Sequence, residues 1–471
     1  MFLKEHEIKM IIQAGFDILE SSGAHVMQEE ALEVFRKNNC KVEGSLVKIP
    51  ATIIEECIKS TPAKWTVYDR EGNERLFIGE GKTYYGSADV ATHFLDYKTD
   101  EVRDFTLNDS RLAARLMEYL PNIDFVCPFG TPQDISQAIT SANAFEATVT
   151  NTTKPIGFMT LDVENHEAII KMASIIRGGM DNLKKKPFIL TLLESISPLT
   201  LASETSAKML IMAENELPYF FTGAPSLGAT SPVTLAGSLA QTVAETFLGL
   251  ALTQLKKKGA PVGIGAAIGI IDMSTGVYSL GAPETALCDA AFTEIARYLK
   301  IPNWTTSVTQ SKTPDQQAVI EPTLAILLNE IEGADVNWDV GYLESALITS
   351  FEEIVLLDEI IGMVRRINRG IEVNEDTLAK DLIINAGPGK SYLDDDHTLR
   401  NFKKELWFPT IKDNKPLEVW QAEGKLTMRD RAKNKIEKIL ASDNPKELSG
   451  KIKSELRDIL ASFKIKNRID L

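Results

Sequence analysis

Between Thr83 and Gly370 the chain repeats one unit eight times, a short apolar run followed by a longer run with helical spacing. Eight such units are what a closed parallel barrel requires. The strand candidates are Thr83–Ser87, Ile123–Phe129, Ile156–Thr160, Phe188–Leu193, Pro218–Thr222, Val262–Ala266, Pro302–Val308 and Ala334–Trp338. The segments Leu107–Tyr119, Gln137–Thr148, Asn165–Ile176, Ser203–Glu216, Leu235–Leu255, Glu284–Leu299, Asp315–Glu332 and Leu343–Asn368 carry apolar residues at helical intervals. Runs such as Pro187–Leu193 and Asn122–Cys127 lack sustained apolar/polar alternation, which fits strands covered by helices. The predicted fold class is α/β, a TIM (β/α)8 barrel over residues 83–370, with an N-terminal helical cap (1–82) and a C-terminal helical extension (371–471).

In the first segment Glu5–Ser21, Gln28–Asn38 and Ala51–Ser60 read as helices, and Trp65–Asp69 with Arg75–Ile78 as a hairpin. A second hairpin, His93–Tyr97 with Glu101–Phe105, follows the first barrel strand. Beyond Gly370 helices are predicted near Thr377–Asn385, Leu399–Leu406, Met428–Leu440 and Ser449–Phe463, the last two forming a charged arm.

A net charge of −15 repels phosphate backbones and anionic lipid, so neither nucleic acid nor a membrane is an expected partner. No uninterrupted apolar run approaches the roughly 20 residues of a membrane span, and no secretion signal is legible. Four scattered cysteines without a CxxC pair read as reduced thiols of a cytoplasmic protein. The five histidines are dispersed without ligand spacing, so no metal site is predicted.

A barrel enzyme builds its site from the loops at the C-terminal ends of its strands. In this chain those loops carry carboxylates at Asp89, Asp134, Asp162, Glu194, Asp272, Asp315, Asp339 and Glu344, whereas their only basic residue is Lys312. Tyr84, Tyr85, Phe94, Phe129, Phe158, Trp304, Trp338 and Tyr342 stand nearby. Arene faces combined with carboxylates attract cations, quaternary ammonium groups above all, so a cationic substrate is predicted. Asp134, Asp162 and Asp315 adjoin helix starts and read as caps, which leaves Asp89, Glu194 and Glu344 as the stronger site candidates. Two apparent phosphate motifs fail: the third glycine of Gly263–Gly269 comes one residue late, and Pro388 removes an amide from Gly387–Ser391.

Several blocks can be read together: Gly228–Glu245, Gly259–Gly265, Met273–Glu284, Ser311–Glu321 and Gly387–Thr398. Across nearly the whole chain the sequence resembles the trimethylamine methyltransferase family. The resemblance implies a TIM barrel that passes a methyl group from a methylated amine to the cobalt of a separate corrinoid protein. The family's trimethylamine enzymes carry pyrrolysine. This chain has no unusual residue and so resembles the non-pyrrolysine branch, whose members demethylate glycine betaine, proline betaine, carnitine or butyrobetaine. Glycine betaine ranks first as the simplest. The replaced position is placed on Thr305–Ser311. The block at Gly387 departs from the family's GPGGHYL form, with Lys390 and Ser391 in place of Gly and His.

Among the residues of the strand-end loops, Glu194 and Gln310 are the expected catalytic ones, with Tyr85, Asp89, Phe129, Ser195, Thr222, Trp338, Tyr342 and Glu344 expected to bind substrate. A quaternary nitrogen leaves as a neutral tertiary amine, so no general acid is required. No DxHxxG cobalamin signature is present, so no tightly bound cofactor is expected, and cob(I)alamin or methylcobalamin would arrive on the partner corrinoid protein. A homo-oligomer is also expected. The rival reading is a barrel lyase or isomerase acting on a cationic metabolite, with Glu194 or Asp89 as a base of raised pKa.

Overall fold

The computed structural model describes residues 2–442 and 445–466. Its centre is a curled, seven-stranded parallel sheet: β1 (Tyr84–Tyr85), β2 (Ile156–Phe158), β3 (Ile189–Glu194), β4 (Tyr219–Gly223), β5 (Val262–Ala266), β6 (Asn303–Thr306) and β7 (Val336–Trp338). The spatial order is β1-β7-β6-β5-β4-β3-β2. Chain neighbours are therefore sheet neighbours, apart from one step between β1 and β2. There the predicted strand Ile123–Phe129 contributes two single parallel bridges, Gly86 with Phe125 and Val126 with Ile156, instead of a ladder.

Helices follow the strands where helical spacing predicts them, and polar caps fix their ends. Thr106 and Asp109 form a capping box at the start of Leu107–Glu118, and the Asp134 carboxylate accepts from the Leu107 amide at 2.9 Å. Asp162 caps Val163–Arg177 and Asp315 caps Gln316–Glu332; Gly178 and Gly333, at φ +79° and +71°, end those helices in the left-handed conformation. One helix begins later than its spacing predicts. Residues Tyr342–Leu343 and Ile348–Ser350 pair antiparallel, and helix Phe351–Asn368 starts after them. Glu344, Ser345 and Ala346 all have positive φ, a turn that no helix can contain. This hairpin extends the one at His93–Leu95 and Val102–Asp104 into a four-stranded sheet.

The N-terminal helices Glu5–Ser21, Glu29–Lys37 and Ala51–Ser60 lie along the outer face of helix Leu235–Lys256, instead of capping an end of the sheet. A Cβ built on Gly15 would sit 2.6 Å from Val243 Cγ1, so only glycine permits this approach, and Phe16 stacks on Phe247 at 5.1 Å. This cover explains helix Leu235–Lys256 itself. Among the described residues it alone is long and apolar enough to cross a membrane, yet 78% of its most apolar stretch is buried inside the fold.

Hairpin Trp65–Tyr68 with Glu74–Ile78 closes the N-terminal end of the sheet. Its Tyr68 amide donates to the Pro187 carbonyl at 2.7 Å, and the Gly79 amide just beyond it donates to Asp335 Oδ1 at 2.5 Å; both partners precede strands. With that end plugged, the opposite end is the accessible one. The C-terminal helix Met428–Leu440 returns onto Phe351–Asn368, anchored by Arg429 on Glu352 at 2.7 Å, and Gly450–Lys466 returns onto Val163–Arg177. Between Gly370 and Met428 large apolar side chains stay in solvent, with Ile371 and Leu393 87% and 86% exposed.

Candidate active site

The sheet interior is filled by large rings, and glycines make room for them. A Cβ on Gly263 would lie 2.4 Å from the Phe220 ring, and one on Gly265 would lie 2.7 Å from Trp304. The Gly263–Gly269 run is thus a place of close packing and does not bind a phosphate.

At the C-terminal ends of the strands lies a cavity of about 350 Å³ lined by Glu194, Asp339, Trp304, Tyr278, Ser226 and Met159, with small apolar residues between them. Glu194 ends β3, Trp304 lies in β6 and Asp339 follows β7. Tyr278 comes from a small three-stranded sheet, Ser226–Leu227, Gly269–Ile271 and Tyr278–Ser279, that strand-end loops build beside the cavity. The lining contains no Lys, Arg or His.

Its carboxyl groups stand close together and are only partly exposed. Burial pushes the Glu194 carboxyl up to about 7, reinforced by Asp339 and opposed by Lys208. Burial raises Asp339 to about 6 against a hydrogen bond that its Oδ2 accepts from Thr306 Oγ1 at 2.7 Å. Asp339 adopts φ +69°, which directs a short polar side chain where the chain leaves β7. Asp89 stands between two lining residues: it precedes Val90, and its Oδ2 accepts from the Met159 amide at 2.8 Å. Its Oδ1 is buried without a partner, and burial, with Asp339 adding, lifts it to about 7. The Trp304 indole N–H is likewise buried and unpartnered. Behind this shell the Asp289 carboxylate accepts from the Thr306 amide at 3.1 Å.

Of the residues predicted from sequence, Glu194 lines the cavity and Asp89 borders it. The others sit elsewhere. Tyr85 turns outward, its hydroxyl donating to Glu330 Oε2 at 2.8 Å and its ring under Arg365, because successive side chains on a strand face opposite sides. Phe129 packs outward too, against Phe351 at 6.0 Å. Trp338 is wholly buried against Phe125 at 4.8 Å and does not reach the cavity wall. Tyr342 accepts the Val90 amide at 2.7 Å through its hydroxyl, so it holds the Asp89–Val90 segment without lining the cavity. Ser195 donates to Glu245 at 2.8 Å, in a cluster where Glu245 also receives Ser197 and the Leu199 amide. Thr222 is buried, its hydroxyl donating to the Gly223 carbonyl at 3.1 Å. Gln310 receives the Ser345 hydroxyl and Glu344 lies in the positive-φ turn, both outside the lining.

Trp304, Tyr278 and Asp339 line the cavity and lie outside the set expected from sequence. Trp304 and Asp339 carry the same signal as the chosen residues, an arene or carboxylate at a strand end. Tyr278 lies twelve residues beyond β5 and gives none. All four cysteines are buried and unpaired. Among the described residues no three His, Cys, Asp or Glu side chains are close enough together to hold a metal ion.

Comparison with known proteins adds identity to this geometry. Residues 1–466 match the family model described as trimethylamine methyltransferase (MTTB). A glycine betaine methyltransferase of Desulfitobacterium hafniense (strain Y51) is 30% identical, over 98% of this chain and 96% of that protein. The trimethylamine methyltransferase MttB of Desulfitobacterium hafniense (strain DSM 10664 / DCB-2) is 28% identical, over 97% and 92%. In fold the chain resembles the crystal structure of the Methanosarcina barkeri monomethylamine methyltransferase MtmB, with a TM-score of 0.52 at 11% identity, covering 98% of this chain and 88% of that one. With nearly its whole length matched, the chain belongs to the trimethylamine methyltransferase family.

Proposed function

We propose that this chain moves a methyl group from a methylated, permanently charged amine to the Co(I) of a separate corrinoid protein. The observation that carries the reading is the cavity itself: arenes of Trp304 and Tyr278 and carboxylates of Glu194 and Asp339 at the open end of a parallel sheet, in a family of methyltransferases. Relatives are named for glycine betaine and for trimethylamine, so a methylated nitrogen is common to both.

The corrinoid supplies the nucleophile that accepts the methyl group. What falls to this chain is to bind the amine, aim one N-methyl outward and keep water away, an orientation effect of several kcal/mol. The C–N bond breaks with both electrons on nitrogen, which leaves as a neutral tertiary amine, so no side chain has to deliver a proton. Positive charge vanishes during the step, and a cation site that binds too strongly would stabilise the ground state over the transition state. Thr306 tempers this by occupying one oxygen of Asp339. Glu194 and Asp339 are the electrostatic partners of the ammonium, and Trp304 and Tyr278 are its apolar walls.

Two coarser features belong to the same proposal. Phe125 and Val126 complete an eight-stranded barrel at the single step between β1 and β2, supported by their parallel bridges to both sides. Apolar side chains of the C-terminal extension, Ile371, Val373, Leu393 and Leu399 among them, are covered in a homo-oligomer, since exposed apolar residues in such density mark interaction surfaces. The test of the reaction is spectroscopic: purified chain, a corrinoid protein and a methylated amine together should consume the Co(I) absorption.

A further inference from the structure

We infer that the methyl donor carries no carboxylate: it is a net cation, such as choline or a tetraalkylammonium, and not a betaine. The inference rests on the methyl-transfer reading and narrows its substrate class. A betaine needs two opposite sites, an anionic or aromatic one for its ammonium and a cationic or strongly donating one for its carboxylate. The lining supplies the first with charged groups and the second with nothing beyond the neutral hydroxyls of Ser226 and Tyr278. Glu194 and Asp339 line it, Asp89 borders it with Oδ1 unpartnered, and the lining has no basic side chain.

The nearest candidates for a counter-charge are committed elsewhere. Lys208, buried beyond Glu194, donates to the Thr160 carbonyl at 2.6 Å and is balanced by Glu204 and Asp162 as well as Glu194. Lys312, the basic residue of the strand-end loops, is exposed and donates to the Gln310 carbonyl at 2.8 Å. A substrate carboxylate entering this space would face the carboxyl groups of Glu194 and Asp339 with no basic side chain in the lining to offset them. Carboxyl groups set against an entering anion, Asp339 first among them, also let a site discriminate between amines that share one trimethylammonium head.

The test compares choline, tetramethylammonium, glycine betaine and carnitine in two assays: binding to the chain by calorimetry, and corrinoid methylation. At least a tenfold preference for choline or tetramethylammonium over both betaines is expected in binding. Asp339→Asn should narrow it, because asparagine keeps the positive-φ backbone and can still accept from Thr306 while removing the charge. Equal or tighter binding of either betaine overturns the inference, as does a preference that Asp339→Asn and Glu194→Gln both leave unchanged. Selective binding of the carboxylate-free cations without any methylation would sustain the inference and overturn the methyl-transfer reading. Methylation driven best by a betaine would do the reverse.

Discussion

Thr306 donates its hydroxyl to Asp339 at 2.7 Å while its amide donates to the buried Asp289 at 3.1 Å, so one residue of β6 ties a cavity carboxylate to a second one behind it. Thr306→Val keeps the shape and removes the hydroxyl. The expected result is a loss of about 1 kcal/mol in stability, together with a KM for the cationic donor that changes more than kcat. Steady-state kinetics beside a denaturant titration separates the two.

Trp304 is the arene at the cavity wall, so Trp304→Ala should raise KM by roughly tenfold and Trp304→Phe by much less, since a phenyl face still attracts an ammonium. Trp304, Trp338 and Tyr342 are all fully buried, so alanine at any of them should cost about 3–5 kcal/mol in folding. Only Trp304 lines the cavity, so only its variant should also raise KM in the folded fraction, which thermal unfolding beside steady-state kinetics checks.

The acids of the cavity give a pH dependence of fixed sign. Asp89 and Glu194 are raised to about 7 and Asp339 to about 6, so the folded chain binds more protons than the unfolded chain between about pH 4 and pH 7. Stability without ligand should therefore be greatest at the acidic end of that window and fall as pH rises through it. A bound cation favours the ionised carboxyls, so its affinity should increase over the same interval and its binding should release protons. Calorimetry in two buffers of different ionisation enthalpy measures that release.

Gly15 tests how the N-terminal helices are held. Gly15→Val would push into Val243 and is expected to cost about 1–3 kcal/mol while leaving the cavity residues in place. The readout is a lowered Tm with KM unchanged in the folded fraction.

Much of this was legible in the chain before any coordinates. Continuous apolar runs such as Pro187–Leu193 mark strands buried on both faces. Asp134 accepts from the first amide of the earlier helix Leu107–Glu118 and does not cap the helix start it adjoins, whereas Asp162 and Asp315 read correctly as helix caps. Leu343–Ser350 did not, because its apolar spacing suits a helix and the three consecutive positive-φ residues within it leave no trace in composition. At the site the acidic, aromatic character was readable, but the facing of each side chain was not. Tyr84 and Tyr85 are adjacent and chemically alike, yet one joins the inner cluster and the other the outer. Tyr278 lies in a hairpin within one strand-end loop, and that hairpin is itself paired to Ser226–Leu227 of another loop, a long-range contact that a local reading does not contain.

In the proposed reaction the cation held between Glu194, Asp339 and Trp304 gives up a methyl group to cobalt. The direct measurement mixes the purified chain with a cob(I)alamin-loaded corrinoid protein and follows the Co(I) absorption after a methylated amine is added. The expected result is loss of that absorption at a rate proportional to chain concentration, with the demethylated amine appearing in equal amount and Glu194→Ala sharply slower. Stable Co(I) absorption across quaternary and tertiary methylamines, with the folded chain in excess, would contradict it.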